Sequence, residues 1–225
     1  MACETWFVTG TDTGVGKTLV AAALLRGLAR RHARVVGMKP VAAGLVERDG
    51  CWVSEDAQVL RAASTLRVGP ELDNPVALPE PLSPHLAARR AGRTITLAQL
   101  LGPAQALAAR CDALVVEGAG GWRAPLSDTH TLADFARALG APVVLVVGLR
   151  LGCLNHAQLS AEAIRADGLP LAGWVANPID AQMAAAAENV DWLRARLGAP
   201  LLAELAWLDD AQRAGLAIDP AGAGR

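Results

Sequence analysis

Short apolar runs recur along the chain at 5–9, 34–39, 113–117, 143–148, 171–177 and 200–205. The central runs are apolar throughout and do not alternate, as in parallel strands buried on both faces. Between most of them lie stretches with a helical pattern, at 17–32, 55–63, 84–91, 97–109, 132–139, 156–166 and 182–197. Strand alternating with helix predicts an α/β fold: a single-domain, doubly wound, mainly parallel sheet with helices on both faces. The length of 225 residues suits one domain over 1–225. The 40–112 crossover is long and contains Pro70, Pro75, Pro79, Pro81 and Pro84. It is expected to cover a site and not to form a domain of its own. The Gly/Ala-rich tail at 220–225 is expected to fray.

The first apolar run, Trp6-Phe7-Val8, leads into Thr9-Gly10-Thr11-Asp12-Thr13-Gly14-Val15-Gly16-Lys17-Thr18, and an Ala/Leu-rich run leads out. That order is strand, glycine loop, helix. Gly16-Lys17-Thr18 ends a phosphate-binding loop, which aims backbone N–H groups and a helix N-terminus at a phosphate chain. Lys17 would reach the β- and γ-phosphates, and the Thr18 hydroxyl would hold Mg²⁺. The usual first glycine of the pattern falls at Thr11, with Gly10 one place early. Strand, loop and helix together make the fold class P-loop NTPase type.

Charge sharpens this picture. The chain has 21 Lys plus Arg, and only Lys17 and Lys39 are Lys. A lysine is a compact point charge, whereas arginine is a planar fork that needs more room. Lys39 ends the second strand, and strand C-termini line the ligand crevice of an open parallel sheet. Both lysines should therefore meet at one anionic site. The run 112–116 ends in Glu117, placed as a metal-binding carboxylate would be. Ser54 reads as an N-cap, and Asp56 is either a metal ligand or a first-turn acid complementing the helix dipole. Gly118-Ala119-Gly120-Gly121 is read as a loop, either close to a phosphate or simply a tight turn. Leu151-Gly152-Cys153-Leu154-Asn155-His156 opens a helix, either as an anion site or as a plain connection.

The net charge of −1 gives no support for a nucleic-acid partner. No apolar stretch is long enough to cross a bilayer, and no signal peptide is evident, so a cytoplasmic protein without a membrane partner is expected. Cys3, Cys51, Cys111 and Cys153 are scattered, without a zinc or disulfide pattern, and are read as core or incidental.

Several of these motifs, in order, resemble dethiobiotin synthetase: the phosphate loop, Lys39-Pro40-Val41-Ala42, Ser83-Pro84-His85, Val116-Glu117-Gly118-Ala119-Gly120-Gly121-Trp122, Pro125-Leu126-Ser127-Asp128, Leu151 to His156, and Gly173-Trp174-Val175-Ala176-Asn177. The resemblance runs nearly to Leu208. It implies an ATP- and Mg²⁺-dependent ligase of biotin synthesis that closes a cyclic urea on 7,8-diaminononanoate with CO₂. It implies that Lys17 and Lys39 flank the reacting groups with Thr13 nearby, and that Thr18, Asp56 and Glu117 hold Mg²⁺. Gly14, Val15, Gly16, Lys17, Thr18 and Leu19, with Glu117, Gly118, Ala119 and Gly120, would wrap ATP. Asn177 would lie at the adenine, beside Ala206, Trp207 and Leu208. Lys39 and Ala43 would face the diamine. Gly152, Cys153, Leu154 and Asn155 would receive its carboxylate from the second subunit of a homodimer. Ala43, Gly14, Pro178 and Asn189 depart from residues found in some family members. An alternative is an ATP-driven positioning switch. Those proteins carry an extra loop lysine where Asp12 stands here.

Overall fold

The computed structural model describes residues 3–220. A six-stranded sheet contains β1 (Glu4–Gly10), β2 (Val35–Met38), β7 (Ala113–Gly121), β8 (Val143–Leu149), β9 (Leu171–Pro178) and β10 (Leu201–Glu204). Its order is β10-β9-β8-β1-β7-β2, and every pair is parallel. The chain goes from β1 to β2 and β7 on one side, then returns to β8, β9 and β10 on the other. The order therefore reverses at β1, where an open α/β sheet has its ligand crevice.

The apolar runs form these strands because both faces are covered. Phe7, Leu114, Val116, Val143, Leu145 and Val147 bury one core. Val8, Ala113, Val115, Val144 and Val146 bury the other. Helices α1 (Lys17–Leu28) and α2 (Glu55–Ala63) cover the second core. The first is covered by α4 (Pro84–Arg90), α5 (Leu97–Ala108), α6 (Leu132–Leu139), α7 (Cys153–Ala166) and α8 (Ala186–Arg196). Ser54 caps α2 as expected, its hydroxyl accepting from the Ala57 N–H at 3.2 Å.

The structure corrects several boundaries. Helix α1 stops at Leu28, short of His32, and α8 starts at Ala186, after Gln182. Helix α7 starts at Cys153, three residues before His156, so Leu154 and Asn155 lie in its first turn. Residues 118–121 are not a loop: β7 continues through Gly121, with Gly121 in register with Gly10. The neighbouring strand β1 supplies backbone partners that local sequence does not reveal.

The 40–112 crossover has more order than expected. It contains α3 (Pro70–Asp73), a parallel pair of β3 (Val41–Ala43) with β6 (Val76–Leu78), and a hairpin of β4 (Val46–Arg48) with β5 (Cys51–Val53). A last short helix, α9, spans Asp210–Gly215. Of the tail, Pro220 is buried, and 221–225 lie outside the described residues. No helix among the described residues is long and apolar enough to cross a membrane.

Candidate active site

The phosphate loop joins β1 to α1. Gly16 caps the helix at φ 92°, in the left-handed region that favours glycine. A Cβ there would lie 2.3 Å from Asn177 Nδ2. Asn177, at the end of β9, donates instead to the Val15 carbonyl at 2.8 Å. The loop is thus pinned from below by a neighbouring strand. Val15 takes part through its backbone, since its side chain is buried in the core.

Beside the loop opens a cleft of about 710 Å³, into which Thr13, Lys17, Thr18, Lys39, Asp56 and Glu117 converge. Ala43, Ala119, Gly120 and Gly121 complete its walls. The two lysines are buried, as is Glu117. Lys17 Nζ donates to the Asp12 carbonyl at 2.8 Å. Burial and the like charge of Lys39 push the Lys17 ammonium down to about 8.

Lys39 Nζ lies 2.7 Å from Glu117 Oε1, 2.8 Å from Asp56 Oδ2 and 3.2 Å from the Gly118 carbonyl. An ammonium has three donors, and these contacts use all of them. Burial opposes its charge, but the two carboxylates hold the Lys39 pKa above its ordinary value. Burial likewise acts against ionised Asp56, yet Lys39 holds that carboxyl below the usual range. Glu117 is deeper, and there burial prevails over Lys39 and raises its pKa.

Thr18 Oγ1 sits 2.8 Å from Asp56 Oδ1 and 2.8 Å from Glu117 Oε1. A hydroxyl has one proton, so only one of these contacts can be a hydrogen bond at a time. Glu117 Oε2 is buried with no partner. Crowded oxygens and an orphaned carboxylate oxygen fit a hard divalent cation such as Mg²⁺, which takes few protein ligands and keeps several waters.

A second cleft of about 340 Å³ lies on the other side of Gly14 and Gly16, which line both. Its walls are Leu19, Asn177, Pro178, Ile179, Ala206, Trp207, Leu208 and Arg213. A charged cleft and a mostly apolar one, meeting at a glycine loop before a helix, can hold a phosphate chain with a flat ring at one end.

A family model described as an AAA domain, AAA_26, matches residues 4–214. The chain belongs to this AAA domain family. It is a nucleotide-binding P-loop protein of ATPase type. Among solved structures, a ParA family ATPase from Chlorobium tepidum TLS is 16% identical, with TM-score 0.57 over 96% of this chain and 89% of that one. The septum site-determining protein MinD from Pyrococcus horikoshii OT3, complexed with Mg-ADP, is also 16% identical, with TM-score 0.56 over 97% of this chain and 87% of that one. At that identity the likeness is one of fold.

Within the AAA domain, most of the expected site residues meet at these two clefts. Gly118 does so only through its carbonyl bond to Lys39. Gly152, Cys153, Leu154 and Asn155 line neither cleft. They form the start of α7, where Cys153 is turned into the core and Leu151 just before it is 94% exposed. The 40–112 crossover does border the larger cleft, through Val41 and Ala43 among others, but reading motifs along the chain did not single out Pro81 and Leu82 as lining it. It also missed Ile179 and Arg213 in the smaller one. No local signal marks them, because their neighbours there are distant in sequence.

Proposed function

We propose that this AAA domain is a dethiobiotin synthetase. It would carboxylate 7,8-diaminononanoate with CO₂ and close the cyclic urea, consuming ATP and releasing dethiobiotin, ADP and phosphate. The convergence of Lys17, Lys39, Thr18, Asp56 and Glu117 on one cleft carries this reading. The ordered motifs from the phosphate loop to Asn177 support the choice of substrate.

Two neighbouring amines lower each other's proton affinity, so one is available in neutral form. Its nitrogen bonds to CO₂ and loses a proton, giving a carbamate. A carbamate oxygen then attacks the γ-phosphorus, and the bond to the ADP oxygen breaks. The second amine attacks the carbamoyl carbon, expels phosphate and gives up a proton as the ring closes. The second step brings two anions together. Lys17 and Lys39, with Thr13 nearby, would offset that repulsion by fixed charge and positioning. No side chain needs to act as a covalent nucleophile. Thr18, Asp56 and Glu117 would hold Mg²⁺, which when bound neutralises phosphate charge. Asn177, Leu19, Ala206, Trp207 and Leu208 would take the purine.

The distal carboxylate of the substrate would reach the α7 start, Gly152 to Asn155, of a second copy in a homodimer. The exposed Leu151 and Leu159 support a contact there. The partners on this reading are small molecules and a second copy, with neither nucleic acid nor membrane, in the cytoplasm.

The reaction is tested by incubating the protein with ATP, 7,8-diaminononanoate and ¹³C-bicarbonate, followed by mass spectrometry. Label should appear in a species of dethiobiotin mass, one-for-one with ADP. ATP hydrolysis indifferent to the diamine, with no labelled product, would sink the proposal. Sedimentation showing a fully active monomer would sink the dimeric part.

A further inference from the structure

Two cysteines that are far apart in sequence meet at the end of the sheet remote from the clefts. Cys3 immediately precedes β1, and Cys111 lies two residues before β7. These strands are adjacent and parallel, with the Glu4 N–H bonded to the Asp112 carbonyl at 2.9 Å. The Cys3 and Cys111 Sγ atoms are 3.3 Å apart. Cys111 is a core residue and Cys3 packs against that core, but the meeting of the two thiols was not legible from their spacing. Cys51 is exposed and Cys153 is buried in the core.

The two thiols sit in different surroundings. Cys3 is half-buried, and the Thr5 hydroxyl donates to its sulfur at 3.8 Å. The Cys111 thiol and this hydroxyl favour the Cys3 thiolate, with the His32 imidazole adding to them, and together they outweigh burial and Asp112 to bring Cys3 down to about 7. Cys111 is buried, and contact with the Cys3 sulfur together with burial raises its pKa. One thiol is thus suited to attack and the other to stay protonated until it is needed.

We propose that Cys3 and Cys111 form a redox site that peroxide converts to a disulfide clamping β1 to β7. The Cys3 thiolate attacks one peroxide oxygen and the O–O bond breaks. Hydroxide leaves and is protonated to water, and Cys3 is oxidised to a sulfenic acid. The Cys111 sulfur then attacks the Cys3 sulfur. The Cys3 S–O bond breaks, and the departing hydroxyl takes the Cys111 proton as a second water. Two thiols and one peroxide become a disulfide and two waters, and a dithiol reductant reverses the oxidation by exchange.

The bond would close a loop from residue 3 to residue 111, long enough to restrict the unfolded chain strongly. It would fasten the N-terminal ends of two central strands, whereas the phosphate loop follows the C-terminal end of β1 and Glu117 lies further along β7. Oxidation should therefore raise stability and leave nucleotide turnover alone.

The test exposes the intact, reduced protein to hydrogen peroxide, then digests it without reduction for mass spectrometry. A reducible cross-link between the Cys3 and Cys111 peptides is expected, with a rise in the unfolding midpoint of roughly 5–10 °C. ATP turnover should be unchanged within about twofold, since the clamp leaves the site's own bonds alone. In Cys111→Ser, peroxide should leave a sulfenic acid on Cys3 that dimedone traps. In Cys3→Ser, which alters only a half-buried position, Cys111 should stay reduced. The proposal is overturned if both thiols remain alkylatable after Cys51 is oxidised, if Cys3 proceeds to a sulfinic acid without a cross-link, if Cys111 oxidises in Cys3→Ser, or if the cross-linked protein melts no higher.

Discussion

The two clefts share Gly14 and Gly16, yet they are built by opposite means. In the larger, charged groups stand within or just after strands and in the first turns of helices, each held by named bonds. Lys39 uses three donors on Glu117, Asp56 and Gly118, and Thr18 is wedged between two carboxylates. In the smaller, much of the wall comes from chain beyond β10, and Trp207 is 57% exposed. Buried, paired charge leaves an unpaired partner when one member is removed, so its cost is steep. Apolar contact scales with area, so its loss is graded. Substitutions in the two clefts should differ accordingly.

The largest effect is expected from Lys17→Ala. Removing a preorganised charge at the phosphates should lower ATP turnover by about 10²–10³-fold. Circular dichroism should show the fold intact. Near-normal turnover in the folded variant would break the comparison at its charged side.

Lys39→Arg conserves charge but not shape. A planar guanidinium cannot direct three donors at Glu117, Asp56 and the Gly118 carbonyl as the ammonium does. Turnover should fall by about 10–100-fold, on the order of a lost charge-assisted hydrogen bond or more, with ATP affinity, measured by calorimetry, changed far less. A variant that keeps most of its activity would show that position, and not donor geometry, is what matters.

Gly16→Ala strikes the wall common to both clefts. A left-handed alanine and a clash with Asn177 should cost about 1–3 kcal/mol of stability, read as a lower denaturant midpoint. Nucleotide binding should weaken with it. Unchanged stability would mean that the Asn177 bond to Val15 does not hold the loop.

Proton linkage separates the clefts in another way. Lys17 stands near 8 in the free protein, and a bound phosphate favours its charged form. Binding above that pH must therefore take up a proton, and affinity should fall as pH rises. A loss of about tenfold between pH 7 and 9 is expected, with proton uptake visible in calorimetry across buffers of different ionisation enthalpy. The apolar cleft contributes no such dependence.

Trp207→Ala should have the smallest effect. Loss of a partly exposed aromatic contact should weaken ATP binding by about tenfold or less, on the scale of 1 kcal/mol. Turnover at saturating ATP should hardly change. A collapse of turnover would place Trp207 in the catalytic machinery and erase the contrast.

Much of this molecule was legible along the chain. The continuous apolar runs marked all six strands of the main sheet, because a strand covered on both faces has no polar side to show. Gly16-Lys17-Thr18 marked the phosphate loop, and the use of lysine at only two places marked Lys39. Ser54 was readable as a cap because capping is a local hydrogen bond. The short strands β3 to β6 were not legible: three-residue strands carry too little periodicity, and their pairing lies within the proline-rich crossover. Strand β7 beyond Glu117 was read as a loop because glycines ordinarily break strands, and only pairing with β1 overrides that.

By itself, then, the sequence determined the strands of the main sheet and its long helices, their parallel arrangement and the residues able to meet a phosphate, since those follow from periodicity and local backbone chemistry. Only the tertiary structure decided which groups touch. It wedged Thr18 between Asp56 and Glu117, pinned Val15 with Asn177 and brought Cys3 against Cys111. These contacts span 38 to 162 residues of chain. They are set by strand order and register, which no local pattern encodes.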